Sequence, residues 1–514
     1  MIDELNDFLS DWSQKKIVDR LFDQDFNLEG VPLSWFYRPI IYSNLLPSLF
    51  PSVDEIRNGK KRKPGIIRLL FMKEYLWYVS WRKRNRIDKK NNISSSEDQS
   101  NSKAMFLAFT NQIYFNKEEK IPKLEQVIDK INSEGILKPI IITVDPFSKY
   151  SPKILKNCKN TLYDYNSKNV IDRADNISKG FSSRWKRIDR LNKEKMLTSN
   201  SKSYWGLSET IFNFLYSQEF IFSTIYHYKL LCEAMSKNNI KVLILTSQNN
   251  IIEKCALAAA KKKGIPVLII QHGIGLGTFK TVDLISSEKF AVWGGCFGRS
   301  LKSLGLSDSA ITITGNLAFD GFNSNEITFL DHIFIATSCY IEDRFISKKD
   351  YFKTFSKVIN DLVKLSNKKI IIKTHPRERN IKEYQKIITS FNNPNILLIT
   401  KTDRDEYKKL LLHSSIIITF GSTICLEAVA LNKRTIVIDP FSGDSPLTLI
   451  KPHIGSIPFV SWQDDIYLAV KNLLKEKIDQ QENVGDLLYR IDGNAYVRVV
   501  DEIYKLANQS SKAF

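Results

Sequence analysis

A chain of 514 residues exceeds what one ordinary core supports, because single hydrophobic cores stop growing near roughly 250 to 300 residues, so at least two domains are expected. Hydrophobic residues at 43% and charged residues at 25% exclude a wholly disordered, collagenous or coiled-coil chain. A formal charge of +19 favours anionic partners: phosphorylated substrates, anionic lipid or nucleic acid.

In chain order, the N-terminus MIDELNDFLSDW lacks a basic segment followed by an apolar run, and no stretch of about 18 uninterrupted apolar residues follows anywhere. The expectation is a cytoplasmic protein. Residues 1–87 read as a mostly helical cap. Residues 60–90 hold twelve basic residues against Glu74 and Asp88, more than half of the net excess. Within them GIIRLLFMKEYLWYVSWRKRNR sets Phe71, Tyr75, Tyr78, Trp77 and Trp81 at helical spacings. This segment fits an ordinary helix packed by its aromatics, or a helix lying on an anionic membrane with each cation contributing about 1 kcal/mol. Nucleic acid is not expected as a partner, since no helix-turn-helix, RNP or zinc-finger signature occurs.

Residues 88–103 are polar and Ser/Asn-rich and read as a linker. Short apolar runs then follow: MFLAFT, PIIIT, VLILT, PVLII, FAVW and ITIT, each fit for a strand buried on both faces of a parallel sheet. They outline a first α/β domain over 104–320, with a helical insert at 150–236. After a turn-rich connector the rhythm resumes over 331–514 with IFIAT, IIIKT, ILLIT, IIITF and TIVID, and the chain ends in helices, the last of which could cross back to the first domain. Six cysteines, Cys158, Cys232, Cys255, Cys296, Cys339 and Cys425, contain no CxxC pair and read as reduced thiols rather than a zinc site or disulfide framework. The fold class is α/β: two Rossmann-like doubly wound parallel sheets facing a cleft, with an α-helical N-terminal extension.

Function is sought where the strands end, because open α/β sheets bind ligands at their C-terminal rims. In IIKTHPRER, Lys373 and His375 share a face of the strand and Pro376 ends it, with Arg377 and Arg379 beyond. This reads either as a structural turn or as a donor-rich phosphate site. In IIITFGSTICLEAVALNKRTIVID a strand runs into Gly421, Ser422 and Thr423 and then a helix. Glycine permits the tight turn, a hydroxyl can cap the helix, and the exposed amides favour an anion. Glu427 lies one turn on, placed for ribose hydroxyls or simply exposed. In PVLIIQHGIGLGTFK, Gln271, His272, Gly273 and Gly275 end a strand. The run is not the dinucleotide fingerprint, whose third glycine would fall at Thr278. His272 there, and Asp145 at the end of PIIITVD, are the candidate bases; a satisfied histidine and a plain strand stop are the alternatives.

QHG, AVWGG, TGNxxFD, KTHP and GSTxxLEAVALNKRTIVID together resemble bacterial surface-polysaccharide glycosyltransferases of the GT-B fold, over roughly residues 240–440. Closest are the CMP-sugar-using Kdo transferases and polysialyltransferases of capsule and lipopolysaccharide synthesis. The resemblance implies nucleotide contacts from His375, Pro376, Ser422 and Thr423, with Lys373, Arg377, Gly421 and Glu427 around the donor. Gln271, Gly273, Gly275 and Asn316 are expected to line the acceptor side of the cleft. The expected function is transfer of a sugar from a CMP- or UDP-sugar to a surface polysaccharide or lipid-linked acceptor, peripherally at the inner membrane face. No metal or other cofactor is expected, because fixed donors can stabilise the leaving phosphate without one. Similar spacing also occurs in nucleotide-sugar 2-epimerases and CDP-glycerol-type polyol-phosphate transferases, and a non-catalytic assembly scaffold is the remaining alternative.

Overall fold

The computed structural model describes residues 8, 11–17, 20–49, 101–109, 112–116, 118–121, 123–144, 158–200, 202–248, 250–273, 288–320, 332–342, 345–365, 368–402, 404–421, 424–431, 433–440, 457–475 and 484–510. The basic segment 60–90, Asp145, Gly275, Ser422 and Thr423 lie outside them. Among the described residues no helix is long and apolar enough to cross a membrane.

Two six-stranded parallel sheets carry the fold. The first contains β1 (Lys103–Phe109), β2 (Lys138–Val144), β3 (Ile240–Leu245), β4 (Val267–Ile270), β5 (Glu288–Val292) and β6 (Ile311–Ile313), in the order β6-β5-β4-β3-β1-β2. The second contains β7 (His332–Ala336), β8 (Lys369–Lys373), β9 (Ile396–Ile399), β10 (Ser414–Thr419), β11 (Thr435–Asp439) and β12 (Phe459–Ser461), in the order β9-β8-β7-β10-β11-β12. Numbered within its own domain, the second order is 3-2-1-4-5-6, the dinucleotide-fold order, and the sense of winding reverses between β7 and β10. The first sheet reverses between β1 and β3. This is the GT-B type of architecture expected above.

Alternation along the strands divides each core. In the first sheet Met105, Leu107, Leu243 and Ile269 face one side, while Ala104, Phe106, Val242 and Leu268 face the other. In the second, Ile333, Ile372 and Ile418 face one layer, and Phe334, Ile371 and Ile417 the opposite one. The helices covering these faces are, in chain order, α1 (Leu33–Leu49), α2 (Glu125–Glu134), α3 (Lys168–Arg187), α4 (Arg190–Met196), α5 (Trp205–Leu215), α6 (Gln218–Lys237), α7 (Ile251–Lys263) and α8 (Gly295–Ser303) for the first domain. The second adds α9 (Lys348–Val363), α10 (Ile381–Ser390), α11 (Arg404–Leu412), α12 (Ile424–Ala430), α13 (Ile466–Lys475), α14 (Val484–Leu488) and α15 (Ala495–Ser510).

The described part of the N-terminal region shares one apolar core with the helical insert. Phe22 meets Trp185 at 6.2 Å between ring centroids, Phe26 meets Phe181 at 5.9 Å and Tyr37 meets Tyr216 at 5.5 Å. A two-residue hairpin turn, Glu29-Gly30, takes φ values of 52° and 92°, as tight primed turns require. At its tip the Glu29 carboxylate accepts from Tyr228 Oη at 2.8 Å and pairs with Lys229 and Lys262. Burial alone raises the Glu29 pKa, but the three donors outweigh it and hold the group at about 2.

The last helix, α15, does cross back: Val499, Val500, Ile503 and Leu506 pack with Val242 and Leu268 on the first sheet. The TGNLAFD motif holds it there. The Asp320 carboxylate accepts from Ala495 N at 2.9 Å and Tyr496 N at 2.7 Å, capping the helix start. Arg498 Nε donates to Thr314 O at 2.7 Å. The paired glycines of AVWGG are also structural. A Cβ at Gly294 would lie 2.2 Å from Asp486 O, because α14 rests directly on the start of α8, where Arg299 pairs with Asp486. Helix α14 touches α12 as well. Since α8 follows the end of β5 and α12 follows the end of β10, this contact joins elements that leave the C-terminal ends of the two sheets.

Candidate functional site

The second rim is built where the winding reverses. Phe420 N donates to Ala336 O at 3.2 Å and Ser338 Oγ donates to Phe420 O at 2.8 Å, stitching the exits of β7 and β10 together. Gly421 then turns the chain with φ 77°, a left-handed conformation that costs a side-chain-bearing residue energy. On α12, Glu427 is half-buried and accepts from the hydroxyl of Tyr407 on α11 at 2.5 Å.

Beside this crevice β8 ends in a tight turn. Lys373, expected among the phosphate contacts, is turned inward instead. It is 8% exposed, and its amine donates to Thr374 O at 2.7 Å and Thr400 O at 3.4 Å. Burial lowers its pKa, and the amine ties the exits of β8 and β9. His375 is half-buried, whereas Pro376 and Arg377 are exposed.

Backbone chemistry decides the protonation of His375. Arg377 N can only donate, and it lies 3.2 Å from His375 Nδ1, so Nδ1 accepts and Nε2 carries the proton. Cys339 Sγ also lies 2.8 Å from this Nδ1. His375 is therefore held as a hydrogen-bond donor through Nε2–H, the form that suits an anionic phosphate oxygen.

The first rim is arranged differently. Gln271 is 4% exposed and turns its polar groups into the protein. Its Oε1 accepts from Trp293 N at 2.9 Å, its carbonyl accepts from Trp293 Nε1 at 3.0 Å, and its Nε2 donates to Gly273 O at 3.0 Å. It clamps β4 to β5, which corrects its reading as an acceptor contact. Asn316 caps the short turn Leu317–Phe319 by accepting from Ala318 N at 3.0 Å, also a structural use. Among the described residues, a Cβ at Gly273 would meet nothing within 4 Å.

His272 is exposed at this rim, and its Nδ1 lies 2.5 Å from Thr246 O, just beyond β3. A carbonyl can only accept, so Nδ1 carries the proton and Nε2 keeps its lone pair. Desolvation and then the charge of Lys123 lower the imidazole pKa below 6.5, while the Thr246 hydrogen bond partly offsets them. The lowered pKa favours the neutral ring, the form suited to accept a proton.

Sequence reasoning passed over the group that shapes the second rim: Glu378, Thr337 and Tyr384. The Glu378 carboxylate is 9% exposed and accepts from His375 N at 2.6 Å and from the hydroxyls of Thr337 and Tyr384. The signal available was an acid three residues after His375, the spacing at which a side chain closes a turn on backbone N–H.

Comparison with known proteins bears on the reaction class. A family model described as UDP-N-acetylglucosamine 2-epimerase matches residues 281–504, which include the whole second sheet and most of α15. No curated protein sequence matches the chain. Among solved structures, the S. aureus MnaA–UDP co-structure is 14% identical, covering 79% of this chain and 97% of that one with TM-score 0.49. A Methanocaldococcus jannaschii UDP-GlcNAc 2-epimerase in complex with UDP-GlcNAc and UDP is 14% identical over 79% and 99%, TM-score 0.47. Acinetobacter baumannii MurG is 13% identical over 79% and 99%, TM-score 0.44. At such values the structural likenesses decide neither substrate nor activity. The family match overturns the glycosyltransferase expectation, because the part of the chain carrying the nucleotide-site motifs is similar to a 2-epimerase.

Proposed function

We propose that the chain is a nucleotide-sugar 2-epimerase, an isomerase that inverts C2 of a UDP-activated 2-acetamido sugar such as UDP-GlcNAc. The observation carrying this reading is the 2-epimerase match across the second domain, where the sheet reversal presents His375 and the Gly421 turn. The chemistry asks for two unlike groups. A sugar C2–H has no adjacent carbonyl to acidify it, so its proton leaves readily only if the nucleotide departs from C1 as the C2–H bond breaks, forming a C1=C2 double bond; the epimer then forms when the nucleotide oxygen re-adds at C1 and a proton is delivered to the opposite face of C2. One group must take a proton, and another must steady the departing phosphate.

The two rims supply that division. His272, neutral with a lone pair on Nε2, takes the role of base. His375, with Nε2–H, and the turn at Gly421 take the phosphate, while Glu427, steadied by Tyr407, accepts ribose hydroxyls. Ser422 and Thr423 are assigned to the same nucleotide site, and Asp145 is the second candidate base. No divalent ion is required in this scheme, since N–H donors serve the phosphate.

The test is incubation of the protein with UDP-GlcNAc and no acceptor, followed by proton NMR of the sugar. The expected result is a mixture of the C2 epimers, unaffected by a chelator. Recovery of unchanged UDP-GlcNAc, and likewise of other UDP-2-acetamido sugars, overturns the reading.

A further inference from the structure

We propose that Glu378 is a positioning residue for the second rim: a buried carboxylate that, with Thr337, shapes the turn presenting His375 to the departing phosphate without touching the nucleotide itself.

The turn is built at unusual cost for one that only reverses the chain. Surface turns are commonly closed by an exposed Asp, Asn or Ser, whose desolvation is small. Here the closing group is a carboxylate at 9% exposure, and burying one is unfavourable unless its oxygens are hydrogen-bonded. Each carboxylate oxygen is engaged. One accepts from His375 N at 2.6 Å and from the Thr337 hydroxyl; the other accepts from the hydroxyl of Tyr384, itself 3.2 Å from Tyr351 Oη. Burial raises the Glu378 pKa, and these donors work against it.

What the carboxylate grips identifies its role. Thr337 follows β7, where the winding reverses, and its Oγ1 is also 3.2 Å from His375 N. The main chain of His375 is thereby fixed to the exit of β7, while its ring is fixed by Arg377 N and Cys339. Pro376 adds to this by disfavouring helical backbone at His375. A donor held from both sides needs no rearrangement when charge develops on the phosphate.

This inference rests on reading the rim as a nucleotide-sugar site. Its test uses the full chain, with UDP binding by calorimetry, kcat and KM with UDP-GlcNAc, and thermal unfolding, on Glu378→Ala, Glu378→Gln, Thr337→Val and Tyr384→Phe. Glu378→Ala is expected to weaken UDP binding about tenfold and to lower kcat. Glu378→Gln, whose carbonyl can still accept from His375 N, restores most of both. Tyr384→Phe, on the far side of the carboxylate, lowers the unfolding temperature while UDP affinity stays within about twofold of wild type. Folded Glu378→Ala with wild-type UDP affinity and kcat overturns the proposal. If Glu378→Ala does not fold, Thr337→Val decides: weaker UDP binding sustains the proposal, and unchanged binding overturns it. Wild-type protein that binds no UDP overturns the nucleotide-sugar reading itself, a distinct result.

Discussion

Two histidines stand just past strand ends on the two rims, and the protein prepares them in opposite ways. His272 gives its Nδ1 proton to the carbonyl of Thr246, leaving Nε2 as an acceptor. His375 receives the N–H of Arg377 on Nδ1, leaving Nε2 as a donor. Each ring stands two residues past the end of a parallel strand; the difference comes from one backbone group, a C=O in the first rim and an N–H in the second. A single residue type is thus set as a hydrogen-bond acceptor or a donor at Nε2 according to which end of a peptide unit its Nδ1 meets. The supporting shells differ too. The first rim leaves His272 exposed, whereas in the second the histidine's backbone N–H meets the buried Glu378 carboxylate and the Thr337 hydroxyl, and its ring meets the Cys339 thiol.

The sharpest way to break this contrast is His272→Gln. Gln can still donate to Thr246 O but cannot take a proton, so epimerisation should fall about 10²- to 10⁴-fold while UDP affinity holds, read by NMR turnover and calorimetry. His375→Ala should do the reverse in emphasis, weakening UDP about tenfold through loss of a charge-assisted donor. The pH profile sharpens the contrast further. If His272 is the base, its neutral form is the active one and its pKa is lowered, so the acid limb of kcat/KM should lie at lower pH than for an ordinary imidazole. Removing the nearby charge with Lys123→Gln should move that acid limb to higher pH. The smallest effect is expected away from both rims. Glu29→Gln should cost about 1 kcal/mol, since the carboxylate and Lys262 are partly exposed although Tyr228 and Lys229 are buried, with UDP binding unchanged. Because the Glu29 pKa is lowered to about 2, its contribution is complete above roughly pH 4.5 and fades as pH falls toward 2; the variant should lack that acid-range loss in thermal unfolding.

The sheets were legible because strands buried on both faces of a parallel sheet must be apolar at nearly every position, so IIIKT and IIITF announce themselves. The crossing of α15 was legible from an amphipathic segment beyond the last strand. The direction of side chains at strand ends was not. Lys373 turns to Thr400, and Gln271 turns to Trp293, partners that become neighbours only when β9 and β5 are in place. TGNLAFD and AVWGG carry part of the family resemblance, yet Asp320 caps α15, and Gly294 makes room for α14. Glu378 looked like one charge among several in HPRER, because its burial depends on Thr337 and Tyr384 from other elements. The reaction class was misjudged for a related reason: a rim that grips a phosphate serves transfer and isomerisation alike, and the local motifs do not distinguish them.

The contrast between the rims can be measured directly by two-bond ¹H–¹⁵N correlation spectra of protein labelled with ¹⁵N-histidine, assigned with the His272 and His375 variants, at pH 7.5. His272 should appear as the Nδ1–H form and His375 as the Nε2–H form, both neutral. Finding the two rings in the same tautomer, or His272 protonated at that pH, would contradict the account.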